Sequence, residues 1–200
     1  MSLPSASSLQ LAAVCAGSVA LPRVGHVTEA AQRGTEKHRE LELDTEKADW
    51  LLTEAGLVPI TGAVVRREAA FAYSVGTGAV RFLGYGRSSY DTANLADTEI
   101  PGTLDYLEQT NSDAQAVDLK AGRPEYVAAA AESYQLGFAA LVAERPKVRA
   151  AFLFVADEER PWARWVDLDE WALDEWREKM VRLAANVGAA RAAVARGEQP

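Results

Sequence analysis

The middle of the chain carries a residue pattern that only a β-sheet can bury. The stretches "GAVVRREAAFAYSV" and "AVRFLGY" are rich in β-branched and aromatic residues, and "GTG" at 76 to 78 joins them, which predicts a β-hairpin. Further strands are predicted near Gly102 to Leu107, Gln115 to Lys120 and Val148 to Val155. Helical segments bracket them. Ser5 to Cys15 reads as a short helix with Ser5 or Ser7 as its cap. A longer helix is predicted from about Thr28 to Glu54, where Ala31, Thr35, His38 and Leu41 recur at helical spacing. Gly34 interrupts it at a cost of about 1 kcal/mol relative to alanine, which close packing or the close approach of a ligand would explain. Pro124 to Glu144 is Ala-rich and helical, and Asp169 to about Arg196 forms a final helix. The order α-α-β-β-β-β-α-β-α implies an α/β protein with a mixed sheet and helices on its faces.

At 200 residues the chain is long enough for one domain with a full core. That domain divides into N-terminal helices at about 5–54, a β-rich core at about 62–156 and a C-terminal helix at about 169–196. Hydrophobic and charged fractions of 48% and 25% exclude a disordered or fibrous chain. A single cysteine, Cys15, rules out an internal disulfide and suits a reducing compartment. The run "SLQLAAVCAGSVAL" superficially suggests an export signal, but no Lys or Arg precedes it and bulky Val14 stands where cleavage wants a small residue. No apolar stretch reaches the roughly 18 residues of a membrane span, so the expectation is a cytoplasmic protein without a membrane partner.

Net charge is −8, from 21 basic and 29 acidic residues, which argues against non-specific binding of nucleic acid. The imbalance is local: residues 1 to 90 carry nine of each sign, and residues 91 to 200 carry twelve basic against twenty acidic. A surface that faces nucleic acid would draw on Arg23, Arg33, Lys37, Arg39, Arg66, Arg67, Arg81 and Arg87, although scattered arginines also serve simply as solvated surface.

Within the strands, "IPGTLDYLEQTNSDAQAVDLKAG" places Asp105, Asp118 and Lys120 where apolar residues would be expected. Side chains alternate faces along a strand, so Asp118 and Lys120 project to one side and Leu119 to the other. The turn-forming "QTNSDA" lets Asp105 on the preceding strand come back beside them. Two partly desolvated carboxylates repel unless a cation neutralises them, and Mg²⁺ or Mn²⁺ suits oxygen ligands. The lysine would then orient an attacking water or stabilise charge building on a phosphate. An Asp-x-Lys at a strand end also serves as a surface salt bridge, so these residues alone leave both readings open.

Five ordered segments carry a resemblance across nearly the whole chain: "LPSASSLQLAAVC", "RGTEKHRELE", "GTLD", "VDLKAG" and "ESYQLGF". Together they resemble the PD-(D/E)xK nuclease superfamily, in particular its RecB-type exonucleases, including the CRISPR-associated and phage recombination branches. The resemblance implies a restriction-endonuclease-like fold and a Mg²⁺- or Mn²⁺-dependent deoxyribonuclease, an exonuclease of recombination, repair or defence. It implies that His38, Asp105 and Asp118 bind the metal together with the backbone carbonyl of Leu119. It gives Lys120 the attacking water and the transition state, and Gln135 the support of the site or of the substrate backbone. Glu68 in "RREAAF" stands where the family has an upstream glutamate. DNA ends or single strands are the implied partner, with a homo-oligomer or a DNA-processing partner protein as the implied assembly. The alternative function is a non-catalytic or weakly active subunit that keeps the nuclease fold within such an assembly.

Single residues retain plainer readings. A lone histidine such as His38 also packs or caps within a helix, exposed strand acids such as Glu68 are common, and Glu42, one turn after His38, either faces the same site or, as is commoner, is a surface acid. An imidazole ligand makes the site softer than an all-oxygen one, which favours Mn²⁺. The sequence departs from the family in two places. Where the family often has a tyrosine four residues after the glutamine, this chain has Ala139. The iron–sulfur branch joins the early cysteine to three more near the C-terminus, and here Cys15 stands alone before a chain that stops at "ARGEQP". An iron–sulfur cluster is therefore not expected: either it has been lost or the sequence is truncated, and Cys15 is expected to be a small buried apolar residue. Trp162, Trp165, Trp171 and Trp176 are expected in core and helix-docking roles rather than as a base-stacking platform. Two histidines and one cysteine make a structural zinc site improbable. "GTG" and "GYG" lack the spacing of a phosphate loop.

Overall fold

The computed structural model describes residues 3–21, 32, 35–40, 44–86, 94–122 and 124–200. The predicted hairpin is strands β1 (Val64–Ser74) and β2 (Val80–Tyr85), followed by β3 (Glu99–Gln109), β4 (Asp113–Lys120), β5 (Lys147–Phe154) and β6 (Trp162–Leu168). They form a six-stranded sheet in the order β2-β1-β3-β4-β5-β6. All neighbouring pairs are antiparallel except β4 and β5, which run parallel.

The parallel pair requires a crossover, and helix α4 (Tyr134–Val142) supplies it. Further described helices are α1 (Leu9–Val14), α2 (Gly17–Ala20), α3 (Thr45–Glu54) and α5 (Glu170–Ala195). One face of the sheet packs on α1, α4 and α5 through Leu9, Leu107, Phe138, Phe152, Met180 and others. The opposite face packs Val117, Leu119 and Leu153 on Leu51 and Leu52 of α3. No described helix is long and apolar enough to cross a membrane.

Two glycines fix how closely the helices approach. A Cβ on Gly102 would lie 2.5 Å from Phe138 and 2.6 Å from Ala6, and one on Gly137 would lie 2.4 Å from Trp176. Gly102 in "GTLD" thus seats α4 and the opening segment on β3, and Gly137 in "ESYQLGF" lets α5 lie against α4.

Several expectations change. The single helix from Thr28 to Glu54 is divided: 35–40 is helical, and α3 starts afresh because the Asp44 side chain accepts a hydrogen bond from Lys47 N at 2.9 Å. Ala31, Gly34, Leu41 and Glu42 lie outside the described residues. Pro124 to Glu144 is not one helix, since two 3-10 turns, Pro124–Tyr126 and Ala130–Glu132, precede α4, whose cap Ser133 accepts from Leu136 N. Strand β6 was not expected: "WARWVDL" sets Arg164 and Asp167 among its apolar residues, and pairing with β5 organises it. Cys15 is exposed rather than buried, because the chain leaves helical conformation there at the end of α1. Trp176 is 3% exposed as expected, but Trp171 is 76% exposed on the outer face of α5 and packs no core.

Candidate active site

Strands β3 and β4 pair from Gln109 and Ala114 to Tyr106 and Val117, and there the ladder stops. The next residues outward are Asp105 and Asp118. Where the strands part, Asp105 Oδ2 accepts a hydrogen bond from Leu119 N at 2.6 Å, so the side chain replaces a ladder carbonyl. Leu119 points its side chain to the α3 face, and Lys120 reaches Gln135 on the α4 face, as alternation predicts.

Two groups of side chains meet at this divergence. In the first, His38 Nδ1 lies 3.2 Å from Asp105 Oδ1 and 3.7 Å from Glu68 Oε1. One donor atom from each of the three falls within 4.8 Å of the others. A cavity of about 40 Å³ opens beside them, walled by Leu51, Tyr106, Val117 and Leu119. One water needs roughly 10–15 Å³ of such space, so an ion fits with little solvent. An imidazole with two carboxylates is a donor set for a divalent cation. Glu68 is 6% exposed and has φ 47°, a left-handed conformation that costs a residue with a Cβ about 1–2 kcal/mol. Its carbonyl accepts from Gly86 N, and β2 carries a bulge nearby. Strain of this kind concentrates where a side chain must be aimed.

In the second group, Gln135 Nε2 donates to Asp118 Oδ1 at 2.5 Å, and Lys120 Nζ donates to Gln135 Oε1 at 2.9 Å. Lys120 Nζ lies 2.6 Å from Asp118 Oδ2, an ion pair that leaves this oxygen without a well-aligned hydrogen bond. Asp118 is 6% exposed, and burial pushes its carboxyl up to about 6; Lys120 draws it down and Asp105 raises it. Lys120 also lies over the Phe152 ring, 5.1 Å from its centroid.

All six side chains proposed from the sequence thus converge, but in two groups: His38, Glu68 and Asp105 form the donor cluster, and Asp118 belongs with Lys120 and Gln135. Three supporting residues were not singled out. Gln10 accepts from Tyr134 N at 3.1 Å and ties α1 to the start of α4, directly before Gln135. Glu108, 2% exposed, accepts from Tyr106 Oη at 2.5 Å, Ile60 N at 3.0 Å and Gln115 Nε2 at 3.2 Å, which fixes Tyr106 as a cavity wall. Phe152 forms the floor beneath Lys120. Gln10 lies inside a motif already quoted, but its partner is 124 residues away and left no local signal. Ala139 is buried at 1% exposure and brings no polar group to the site.

Three of the described first-half arginines are engaged. Arg66 bonds Gln109, Arg67 pairs with Asp49 at 2.5 Å, and Arg81 pairs with Glu99 at 2.8 Å. Arg23, Arg33 and Arg87 lie outside the described residues.

The mixed sheet flanked by helices, with two acids and a lysine where its central strands part, defines a restriction-endonuclease-like α/β fold. The model of the PD-(D/E)XK nuclease superfamily matches residues 5–199, and the chain belongs to that superfamily. Among solved structures it is similar to SSO0001, with TM-score 0.43 and 14% identity over 81% of this chain and 61% of that one. It is also similar to an alkaline exonuclease, LHK-Exo, from Laribacter hongkongensis, with TM-score 0.49 and 14% identity over 98% of this chain and 92% of that one. A complex of LHK-Exo with dAMP gives TM-score 0.44 and 15% identity over 96% and 85%. No curated protein matches the chain at a significant level.

Proposed function

We propose that this chain is a divalent-metal-dependent deoxyribonuclease of the RecB type that hydrolyses phosphodiester bonds from DNA ends, in recombination, repair or defence. The observation that carries the reading is the convergence of the His38–Glu68–Asp105 cluster with the Asp118–Lys120–Gln135 group at the point where β3 and β4 part. A binding module has no use for both groups, since each adds buried charge that costs stability.

His38, Glu68 and Asp105 would hold the ion, with Asp118 and the Leu119 carbonyl as the further donors that the family resemblance implies. A bound divalent ion supplies positive charge for the scissile phosphate and makes water a better nucleophile near neutral pH. The nitrogen donor favours Mn²⁺ over Mg²⁺. Lys120, held by Gln135 and Asp118, presents its ammonium to the attacking water and to charge growing on the phosphate. Gln135 orients both partners through its two amide atoms.

Cleavage of end-labelled linear and closed circular DNA, single- and double-stranded, with Mn²⁺, Mg²⁺ or EDTA, tests the proposal. Metal-dependent digestion of linear substrates, sparing of circles and loss of cutting in Asp118→Ala are expected. Absence of cutting under all conditions would instead favour a non-catalytic subunit, and full activity in the variant would remove Asp118 from the mechanism.

A further inference from the structure

The two tryptophans of β6 lie on opposite faces of the sheet. Trp162 pairs with Phe154, whose ring belongs to the core under α4, and Trp165 pairs with Ala151, which faces α3. In the β4–β5 register Lys120 stands opposite Phe154, so Lys120, Phe154 and Trp162 form one row across three strands. Strand spacing puts the Trp162 backbone about 10 Å from that of Lys120.

The Trp162 ring is built as a platform. It stacks on Phe154 with centroids 4.2 Å apart and planes at 13°. Phe154 is 2% exposed and Trp162 is 41% exposed, so one ring face is covered and the other meets solvent. The Arg164 guanidinium lies 5.5 Å from the Phe154 centroid and 5.6 Å from that of Trp162. Arg164 is anchored in turn by the carbonyls of Val127 and Ala128, to which it donates at 3.0 and 3.3 Å. A held aromatic ring with an adjacent cation is the equipment for stacking a nucleobase. The β5–β6 turn carries Asp157, Glu158, Glu159 and Arg160, and Glu158 pairs with Lys37 and, at 2.5 Å, with Lys47. The part-exposed ring suits an unpaired base.

Resting on the nuclease reading above, we propose that Trp162 stacks an unpaired base of the substrate strand beside the Lys120 site, so that the substrate presented for cleavage is a single-stranded DNA end. This reverses the expectation of a core or docking role for this tryptophan.

The test is anisotropy of a labelled oligothymidylate in EDTA, which reads binding without cleavage. Trp162→Ala is expected to weaken binding about tenfold, Trp162→Phe to restore most of it, and Trp165→Ala on the other face to leave it unchanged. The loss should persist at high salt, since stacking involves no counterion release. In a scan of single abasic positions, one position should weaken the wild type by the same factor and have no further effect in Trp162→Ala. Equal affinity of Trp162→Ala and wild type, or Trp162→Phe as weak as Trp162→Ala, would overturn the proposal. So would no binding of single strands by the wild type. Failure of the nuclease reading would appear separately, as single-strand binding through Trp162 with no metal-dependent cutting.

Discussion

Replacing Asp118 with asparagine should stabilise the metal-free protein, and the gain should depend on pH. The Asp118 carboxyl sits at about 6 against an ordinary 3.8, chiefly because burial penalises its charge. Below about pH 4 the folded and unfolded chains both carry the proton, and the group makes no difference to stability. Between about 4 and 6 the folded chain keeps a proton that the unfolded chain has released, so stability falls as pH rises. Above about 6 the full cost is present. A rise of about two pH units, at about 1.4 kcal/mol for each, comes to about 3 kcal/mol, and the attraction of Lys120 is already contained in that value. Asparagine keeps an acceptor for Gln135 without the charge. In EDTA, thermal melts followed by circular dichroism should show the variant equal to wild type at pH 4 and about 5–10 °C more stable at pH 8. Millimolar Mn²⁺ should narrow the gap by stabilising the wild type more. A difference independent of pH, or a variant less stable at pH 8, would refute the argument.

Lys120→Ala should lower turnover by two or more orders of magnitude while Mn²⁺ affinity, measured calorimetrically, changes little; an equal loss of both would make the lysine a structural partner of Asp118. Gly137→Ala drives a methyl group into the Trp176 ring and should cost about 1–3 kcal/mol of stability, visible as a lower urea midpoint. An unchanged midpoint there would mean that α5 is free to move away from α4.

Asp105, Asp118 and Lys120 stood out in the sequence as candidates because they lie close together on strands that would otherwise be apolar, whereas His38, Glu68 and Gln135 rested on the family resemblance. "GTLD" and "VDLK" each hold an acid on a strand, and period-two alternation then dictates that Lys120 and Leu119 face opposite layers. What was not legible depends on partners far along the chain. The division of acids between two groups comes from the place where the β3–β4 ladder ends, which no local pattern announces. Asp44 offered a local capping signal, and helical periodicity across it masked the break. Strand β6 was hidden because Arg164 and Asp167 interrupt its apolar residues, although Trp162 and Trp165 favour strands, and pairing with β5 supplies the hydrogen bonds. Its missing place in the strand order also concealed that Trp162 and Lys120 share a face.

The two acids of the motif should behave in opposite ways when removed. Asp118 adds buried charge, so its loss relieves the fold. Asp105 is the hydrogen-bond acceptor for Leu119 N at 2.6 Å, in the gap where β3 no longer supplies a carbonyl. Asp105→Ala leaves that amide without an acceptor beside the α3 core, which costs about 1–3 kcal/mol. Asp105→Asn retains an oxygen for the amide and should recover most of the loss, although both variants surrender the charge that the metal cluster needs. Urea unfolding in EDTA should therefore rank wild type near Asp105→Asn and well above Asp105→Ala, with faster amide exchange at Leu119 in the alanine variant alone. If the two variants were equally stable, the Leu119 amide would have found another acceptor, and the parting of the strands would not rest on Asp105.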